Sequence, residues 1–284
     1  MTPLRFAVIG HPIAHSRSPD IHQAFAKQIG IELLYERIDA DPNQFESVVQ
    51  AFFKAGGSGL NITVPFKERA WQMAAQNLSE RATDAQAVNT LWMSQHKLHG
   101  CNTDGVGLVA DLKQLGMLKP GQSILVLGAG GASRGVLGPL LASDCKTLHV
   151  ANRTAERAHE LIQQWGKRHP ADAQKLSASG LQLDALPGKW DLIINATASS
   201  LQGDLIALPS SLLADNAFAY DMMYGASQTP FMQAARQAGA ALVSDGLGML
   251  VGQAAESFRL WHGRMPAVEP VIESIRASLT RSVR

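Results

Sequence analysis

The segment Ser123–Ala142, "SILVLGAGGASRGVLGPLLA", constrains the fold more narrowly than any other part of the sequence. A short apolar strand runs into Gly128, Gly130 and Gly131 and continues as an amphipathic helix. Such a turn lets the backbone approach a pyrophosphate, whose charge the free N–H groups of the helix N-terminus stabilise. Gly128 and Gly130 fit the G-x-G-x-x-G pattern of dinucleotide sites, and Ser133 holds its third place. Taken alone, the motif also fits a tight structural turn or a mononucleotide site.

The strand that follows narrows the kind of dinucleotide. Folds that bind NAD usually carry an acidic residue at the end of this strand, where it accepts from the ribose hydroxyls. This chain has Asn152 and Arg153 there, with Arg157 one helical turn later. A guanidinium suits a phosphate, and two such contacts favour NADP over NAD by about 100-fold. The alternative is that both arginines are exposed surface residues at the start of a helix and bind no ligand.

Strands and helices alternate along the chain, which is typical of parallel sheets covered by helices. We predict an α/β protein with two domains, an N-terminal, mainly parallel α/β domain for substrate and a Rossmann-type domain for NADP. We place the first domain at residues 1–106 plus 246–284 and the second at 107–245. The predicted strands are Arg5–Ile9, Leu33–Arg37, Gly59–Ile62, Ser123–Leu127, Thr147–Val150, Asp191–Asn195, Phe218–Asp221 and Ala241–Val243. Val88–His99 reads as an antiparallel pair that turns near Gln95 and His96, and Arg168–Gly180 as a polar surface connection.

Composition excludes several classes of function. The formal net charge is +1, from 25 basic and 24 acidic side chains, so we expect no nucleic-acid partner. The sequence has no run of about 18 apolar residues, the length that a membrane-spanning helix needs. The two cysteines give no disulfide framework, which favours the cytoplasm. We expect a monomer or a homodimer.

Polar residues collect where strands of the first domain end. They form four clusters: Ser16 and Ser18; Asn61, Thr63 and Lys67; Asn89 and Thr90; Asn102, Thr103 and Asp104. Open parallel sheets bind ligands at this edge, and this inventory suits a ligand with several hydroxyls and a carboxylate. Each cluster alone also reads as turn chemistry, and we expect Ser18 to cap the helix that starts at Pro19. His11 and His15 lie in a proline-containing loop that does not present them on one face, so we expect no metal site.

These motifs together resemble shikimate dehydrogenases. They are "GHPIAHSRSP", "NITVPFK", "AVNT", "NTD", "GAGGA", "NRT" and "DGLGMLVGQAA", in the family's order from Gly10 to Gln253. The resemblance implies reversible reduction of 3-dehydroshikimate to shikimate with NADPH, in aromatic amino-acid biosynthesis. "NATASS" (Asn195–Ser200) replaces the family's commoner N-A-T-S form, which leaves the cofactor contacts there open.

The resemblance also implies roles for individual residues. Ser16 and Ser18 would hold the substrate carboxylate. The substrate's other contacts would come from Thr63, Lys67, Asn89, Asp104, Tyr224 and Gln253. The cofactor would be held by Gly128, Ala129, Gly130, Gly131, Ala132, Asn152, Arg153, Thr154, Arg157, Thr197, Met222, Gly246 and Met249.

The expected chemistry is hydride transfer to the C3 carbonyl, with Lys67 as proton donor and Asp104 orienting it. A structural ion pair between these two residues is the alternative. Two other functions stay open: a broader quinate/shikimate dehydrogenase that uses NAD, and a non-catalytic NADP-binding sensor on the same fold.

Overall fold

The computed structural model describes residues 3–197 and 208–281, and the chain divides into two compact units. The first unit consists of Met1–Gly107 and Leu250–Ala277, and the second of Leu108–Met249 with the chain end from Ser278. None of the helices in the described ranges is long and apolar enough to cross a membrane.

The first unit is built on a five-stranded sheet in the order β2-β1-β3-β4-β5. Its strands are β1 (Leu4–Gly10), β2 (Leu33–Asp39), β3 (Gly59–Ile62), β4 (Thr90–Ser94) and β5 (Lys97–Cys101). β1 pairs in parallel with β2 and β3, whereas β4 pairs antiparallel with β3 and β5. The predicted hairpin is confirmed, since Gln95 and His96 link β4 to β5 with φ values of 49° and 60°.

Helices cover both faces of this sheet, as the alternation of side chains along β1 requires. The helices of this part are α1 (Ser18–Ile29), α2 (Phe45–Lys54), α3 (Lys67–Met73), α4 (Glu80–Ala85) and the start of α5 (Asp104–Gln114). Ala7 and Ile9 pack with Phe45 and Phe66 on one side. Phe6 and Val8 pack on the other, where Phe6 stacks on Trp261 at 4.7 Å between ring centroids. Helices α3 and α4 are only seven and six residues long.

The second unit is a six-stranded parallel sheet in the order β11-β10-β9-β6-β7-β8. Its strands are β6 (Ser123–Leu127), β7 (Thr147–Asn152), β8 (Leu176–Gly180), β9 (Trp190–Asn195), β10 (Leu213–Asp221) and β11 (Leu242–Asp245). The strand order reverses at β6, which pairs with both β7 and β9. Ligands of open α/β sheets bind at such a reversal, beyond the carboxyl ends of the strands.

The helices that follow these strands are α6 (Gly131–Leu141), α7 (Ala155–Arg168) and α8 (Pro230–Gln237). Near the end of the chain lie α9 (Leu247–His262) and α10 (Glu269–Arg281). The predicted class, an α/β fold with a Rossmann-type sheet, is confirmed.

One predicted segment is wrong. Leu176–Gly180 is strand β8, not part of a surface connection. The strand was missed because its sequence, "LSASG", is polar and none of its residues is fully buried. Its pairing with β7 is supported by His149, whose ring nitrogens lie 2.8 Å and 2.9 Å from the hydroxyls of Ser177 and Ser179.

Candidate active site

An ion pair joins Lys67 and Asp104, the first residues of α3 and α5. Lys67 Nζ lies 2.6 Å from Asp104 Oδ2, and the side chains are 24% and 9% exposed. The carboxylate is therefore nearly enclosed, whereas the ammonium retains a solvent-facing side. A proton donor needs such an arrangement, with one partner fixing the group and one side open to a ligand.

Asn89 holds the other carboxylate oxygen of this pair. Its Nδ2 donates to Asp104 Oδ1 at 2.8 Å and lies 3.2 Å from Gln253 Oε1 on α9. Its Oδ1 accepts from the backbone N–H of Thr103 at 3.0 Å. Four of the predicted substrate residues, Lys67, Asn89, Asp104 and Gln253, thus form one continuous set of polar contacts within the first unit.

A second layer of buried polar groups supports that set. The sequence analysis named Asn61 and Thr90 among its polar clusters but missed Ser257. Asn61 Nδ2 donates to Ser257 Oγ at 3.1 Å, and the hydroxyls of Ser257 and Thr90 lie 2.7 Å apart. Ser257 also donates to the carbonyl of Gln253 at 3.0 Å. The available signal was the spacing of Gln253 and Ser257, which places both on one face of a helix.

Tyr35 extends this layer toward β2. Its hydroxyl donates to Asn61 Oδ1 at 2.6 Å, and the side chain is buried. Burial raises the pKa of Tyr35 well above its ordinary value, so the phenol keeps its proton and remains a donor. His22 stacks on Tyr35 at 4.5 Å, and burial, followed by the nearby His262, lowers the pKa of His22 to about 3.

Ser16 lies in the loop between β1 and α1, and Ser18 is the first residue of α1. Their hydroxyl oxygens are 3.2 Å apart. The expectation that Ser18 caps α1 is wrong. Arg17 is the N-cap residue, Ser18 already belongs to the helix, and its side chain caps no backbone N–H. The helix begins one residue earlier than expected, because the backbone of Arg17 is already close to helical, with φ −91° and ψ 0°. Ser18 Oγ accepts from the Ser16 hydroxyl instead. The two hydroxyls thus form a pair.

Gly10 brings this loop against the loop that carries Thr63. A Cβ at Gly10 would lie 2.5 Å from Thr63 Cγ2, so a larger residue at this position would force Thr63 to shift. The backbone N–H of His11 donates to the carbonyl of Val64 at 3.1 Å. Thr63 and the serine pair are therefore on adjacent loops at the carboxyl edge of one sheet.

The glycine turn of the second unit has the geometry of a phosphate cradle. Gly128 has φ +109°, and Ser133 Oγ donates to its carbonyl at 2.8 Å, drawing α6 onto the end of β6. A Cβ at Gly130 or Gly131 would meet no protein atom within 4 Å. Ala129 and Ala132 complete a turn that leaves open space in front of the first N–H groups of α6. Such space, beside a helix N-terminus, fits an anionic pyrophosphate.

Asn152 connects this turn to the start of α7. Its Oδ1 accepts from the N–H of Ala129 at 3.1 Å, and its Nδ2 donates to the carbonyl of Thr154 at 2.8 Å. Arg153 and Arg157 are exposed beside it. Two guanidinium groups next to a cradle that has no acidic residue fit the additional phosphate of NADP.

The remaining predicted cofactor residues follow β9, β10 and β11. Thr197 donates through its N–H and its hydroxyl to Asn195 Oδ1, at 3.1 Å and 2.6 Å. The N–H of Met222 donates to the carbonyl of Asn195 at 2.9 Å, and a Cβ at Gly246 would overlap the Met222 carbonyl. Tyr224 lies in the segment after β10, and Met249 is buried in the second unit's core. The prediction for "NATASS" reaches residues 198–200, which lie outside the described residues.

One unit is a six-stranded parallel sheet with a glycine cradle for a dinucleotide, and the other carries a lysine–carboxylate pair. Together these features define a dinucleotide-dependent oxidoreductase. Models of known protein families match segments of both units. The "Shikimate dehydrogenase substrate binding domain" matches residues 8–91, "Shikimate / quinate 5-dehydrogenase" matches 112–203, and "Shikimate 5'-dehydrogenase C-terminal domain" matches 246–276.

Relatives match nearly the full length. Proteins named "Shikimate dehydrogenase (NADP(+))" from Bordetella petrii and Bordetella avium are each 54% identical over 275 residues, 97% of this chain and 96% of theirs. A shikimate 5-dehydrogenase from Thermus thermophilus, solved with NADP(H) and shikimate, is 34% identical. It superposes with a TM-score of 0.84 over 97% of this chain and 100% of its own. This chain belongs to the shikimate dehydrogenase family, which confirms the resemblance that its motifs indicated.

Proposed function

We propose that this chain catalyses the reversible, NADPH-dependent reduction of 3-dehydroshikimate to shikimate, a step in aromatic amino-acid biosynthesis. The observation that carries the proposal is the Lys67–Asp104 pair, 2.6 Å apart and continuous with Asn89 and Gln253. A polyhydroxylated carboxylate is the ligand that such hydroxyl and amide groups recognise. The family and the names of the relatives support this substrate.

In this proposal, the substrate carboxylate binds the hydroxyls of Ser16 and Ser18. Thr63, Asn89, Asp104 and Gln253 bind the ring hydroxyls, and Tyr224 is a further substrate ligand. Sites built on such hydrogen bonds reject an analogue that lacks one hydroxyl by about 10⁴–10⁵-fold, because their own polar groups are left unpaired. The buried layer of Asn61, Thr90 and Ser257 keeps Asn89 and Gln253 in one orientation.

Lys67 acts as the proton donor. NADPH, when bound, supplies the hydride. As the substrate's C3 oxygen gains negative charge, Lys67 Nζ stabilises that charge and delivers a proton to the oxygen. Asp104 holds the ammonium in place through Oδ2, while Asn89 holds Oδ1 and so fixes the carboxylate.

The cofactor residues of the proposal are those of the glycine turn and the three neighbouring strand ends. The N–H groups around Gly128–Ala132 bind the pyrophosphate, and Asn152, Arg153, Thr154 and Arg157 bind the adenosine phosphate. Gly246 and Met249 bind near the nicotinamide, and Thr197 and Met222 are further cofactor ligands. A small-molecule substrate, a monomer or homodimer and a cytoplasmic location complete the proposal.

The test is a kinetic comparison of four combinations, shikimate or quinate with NADP⁺ or NAD⁺, following absorbance as the reduced nucleotide forms. The proposal expects the highest kcat/KM for shikimate with NADP⁺. Similar values for quinate would support the broader quinate/shikimate dehydrogenase instead. Nucleotide binding without turnover of either substrate would support the non-catalytic sensor and overturn the proposal.

A further inference from the structure

Two charged residues at the end of β2 hold the loop that carries Ser16. Arg37 and Asp39 alternate with Ile38 and lie on the same face of the strand as the buried Tyr35. Both therefore project on the side of the sheet where His22 of α1 stacks on Tyr35.

The contacts tie this loop at two points. Arg37 Nε and Nη2 both donate to the carbonyl oxygen of Ser16, at 2.9 Å and 2.7 Å. Asp39 Oδ1 lies 2.7 Å from His11 Nδ1 at the start of the loop. Within the loop, the N–H of Ser16 donates to the carbonyl of Ile13 at 3.0 Å. The peptide on each side of Ser16 is thus fixed, and with it the direction of the Ser16 hydroxyl.

The positive charge of Arg37 is a second feature of this site. Within the described ranges, no carboxylate lies within ion-pair distance of its guanidinium, whereas neighbouring Arg5 pairs with Glu36. Its partner is a neutral carbonyl, so its positive charge is not neutralised beside the serine pair. An anion bound to those hydroxyls is attracted by that charge through space, because opposite charges attract each other most strongly where little water lies between them.

We propose that Arg37 is a positioning residue for the substrate carboxylate, acting through Ser16. It sets the direction of the hydroxyl donor by its double contact with the Ser16 carbonyl and adds a positive charge to the carboxylate site. This inference rests on the proposed function, since it concerns the same substrate.

The experiment is steady-state kinetics of shikimate oxidation by Arg37→Ala, Arg37→Lys and Ser16→Ala. Arg37→Ala is expected to raise the KM for shikimate about tenfold, with kcat within about twofold and the KM for NADP⁺ unchanged. Arg37→Lys keeps the charge but not the planar pair of donors, so its KM should fall between those of wild type and Arg37→Ala. The matched control is Arg5→Ala, on the adjacent strand, which should leave both KM values unchanged.

A carboxamide analogue of shikimate separates a carboxylate role from a merely structural one. In wild type, kcat/KM should be higher for shikimate than for its carboxamide analogue. In Arg37→Ala, the ratio of these two kcat/KM values should fall about tenfold. The inference would be overturned by an unchanged ratio of these kcat/KM values. It would also be overturned if Arg37→Ala lowered kcat and raised the KM for NADP⁺ to the same extent. Absence of shikimate oxidation by wild type would instead overturn the proposed function, so the two failures are distinguishable.

Discussion

Lys67 and Asp104 are 37 positions apart in the chain, yet each begins a helix, and their side chains meet. A helix N-terminus carries partial positive charge, which stabilises the carboxylate of Asp104 in the first turn of α5. The same charge disfavours the ammonium of Lys67 at the start of α3. A lysine in that position is explained by chemistry better than by helix stability.

Lys67→Ala should lower kcat by about 10²–10⁴-fold while changing the KM for shikimate much less, because proton transfer contributes in the transition state. Steady-state kinetics with saturating NADP⁺ measures both. Lys54→Ala, at the exposed end of α2, is the matched control. A kcat close to that of wild type in Lys67→Ala would leave only the structural ion pair.

Arg153→Asp should reverse part of the cofactor preference. The substitution removes a phosphate ligand and introduces the acid that accepts from ribose hydroxyls in NAD sites. We expect the ratio of kcat/KM for NADP⁺ to that for NAD⁺ to fall at least about tenfold. An unchanged ratio would mean that Arg153 is a surface residue at the start of α7 and does not bind the cofactor.

Among the secondary-structure elements, the β6–α6 turn separates the roles of its glycines. Gly128 adopts φ +109°, and a Cβ there would lie 3.2 Å from the backbone of Ala196, so this glycine is required by the fold. Gly130 has φ −87°, which any residue adopts, and a Cβ there meets no protein atom within 4 Å. Its missing side chain therefore leaves space for a ligand.

Gly128→Ala should lower the free energy of unfolding by about 1 kcal/mol or more. Gly130→Ala should leave that free energy nearly unchanged but weaken NADP⁺ binding, because the new methyl group occupies the pyrophosphate's space. Denaturant unfolding and titration with NADP⁺ measure the two effects. Wild-type affinity in Gly130→Ala would contradict the placement of the pyrophosphate at this turn.

For the complete chain, buried histidines link stability to pH. The pKa of His22 is lowered from 6.5 to about 3, by burial and then by His262. Burial also lowers the pKa of His149 and His262. As pH falls below about 6.5, the unfolded chain takes up protons that the folded chain does not, so stability is lost toward acid.

His22 alone should reduce the free energy of unfolding by about 2 kcal/mol between pH 7 and pH 5. His22→Phe, which preserves stacking on Tyr35, should remove that part of the pH dependence even if it changes stability at pH 7. Denaturant unfolding at several pH values measures the slope. His96→Asn is the control, since His96 is exposed and asparagine tolerates its positive φ. An unchanged slope in His22→Phe would show that His22 takes up its proton over the same pH range in the folded and the unfolded chain, and would contradict the lowered pKa.

Local patterns were sufficient to predict most of the strands and the glycine turn, and they suggested the candidate chemistry. The strand that ends at Leu127, the three glycines after it and the lysine after Pro65 are signals within a few residues of sequence, where backbone sterics and periodicity act. β8 was not predictable in this way, because "LSASG" becomes a strand through its pairing with β7.

The support of the candidate site depended on folding. Asn61 and Ser257 are 196 positions apart, and their hydrogen bond exists because residues of α9 pack against the first unit's sheet. In the sequence, Arg37 is only the last residue of a predicted strand. Its proposed role follows from the loop that β1 and α1 place beside it. Short-range sterics and hydrophobic periodicity are written in neighbouring residues, whereas buried polar contacts between distant segments are formed only when the packed core brings those segments together.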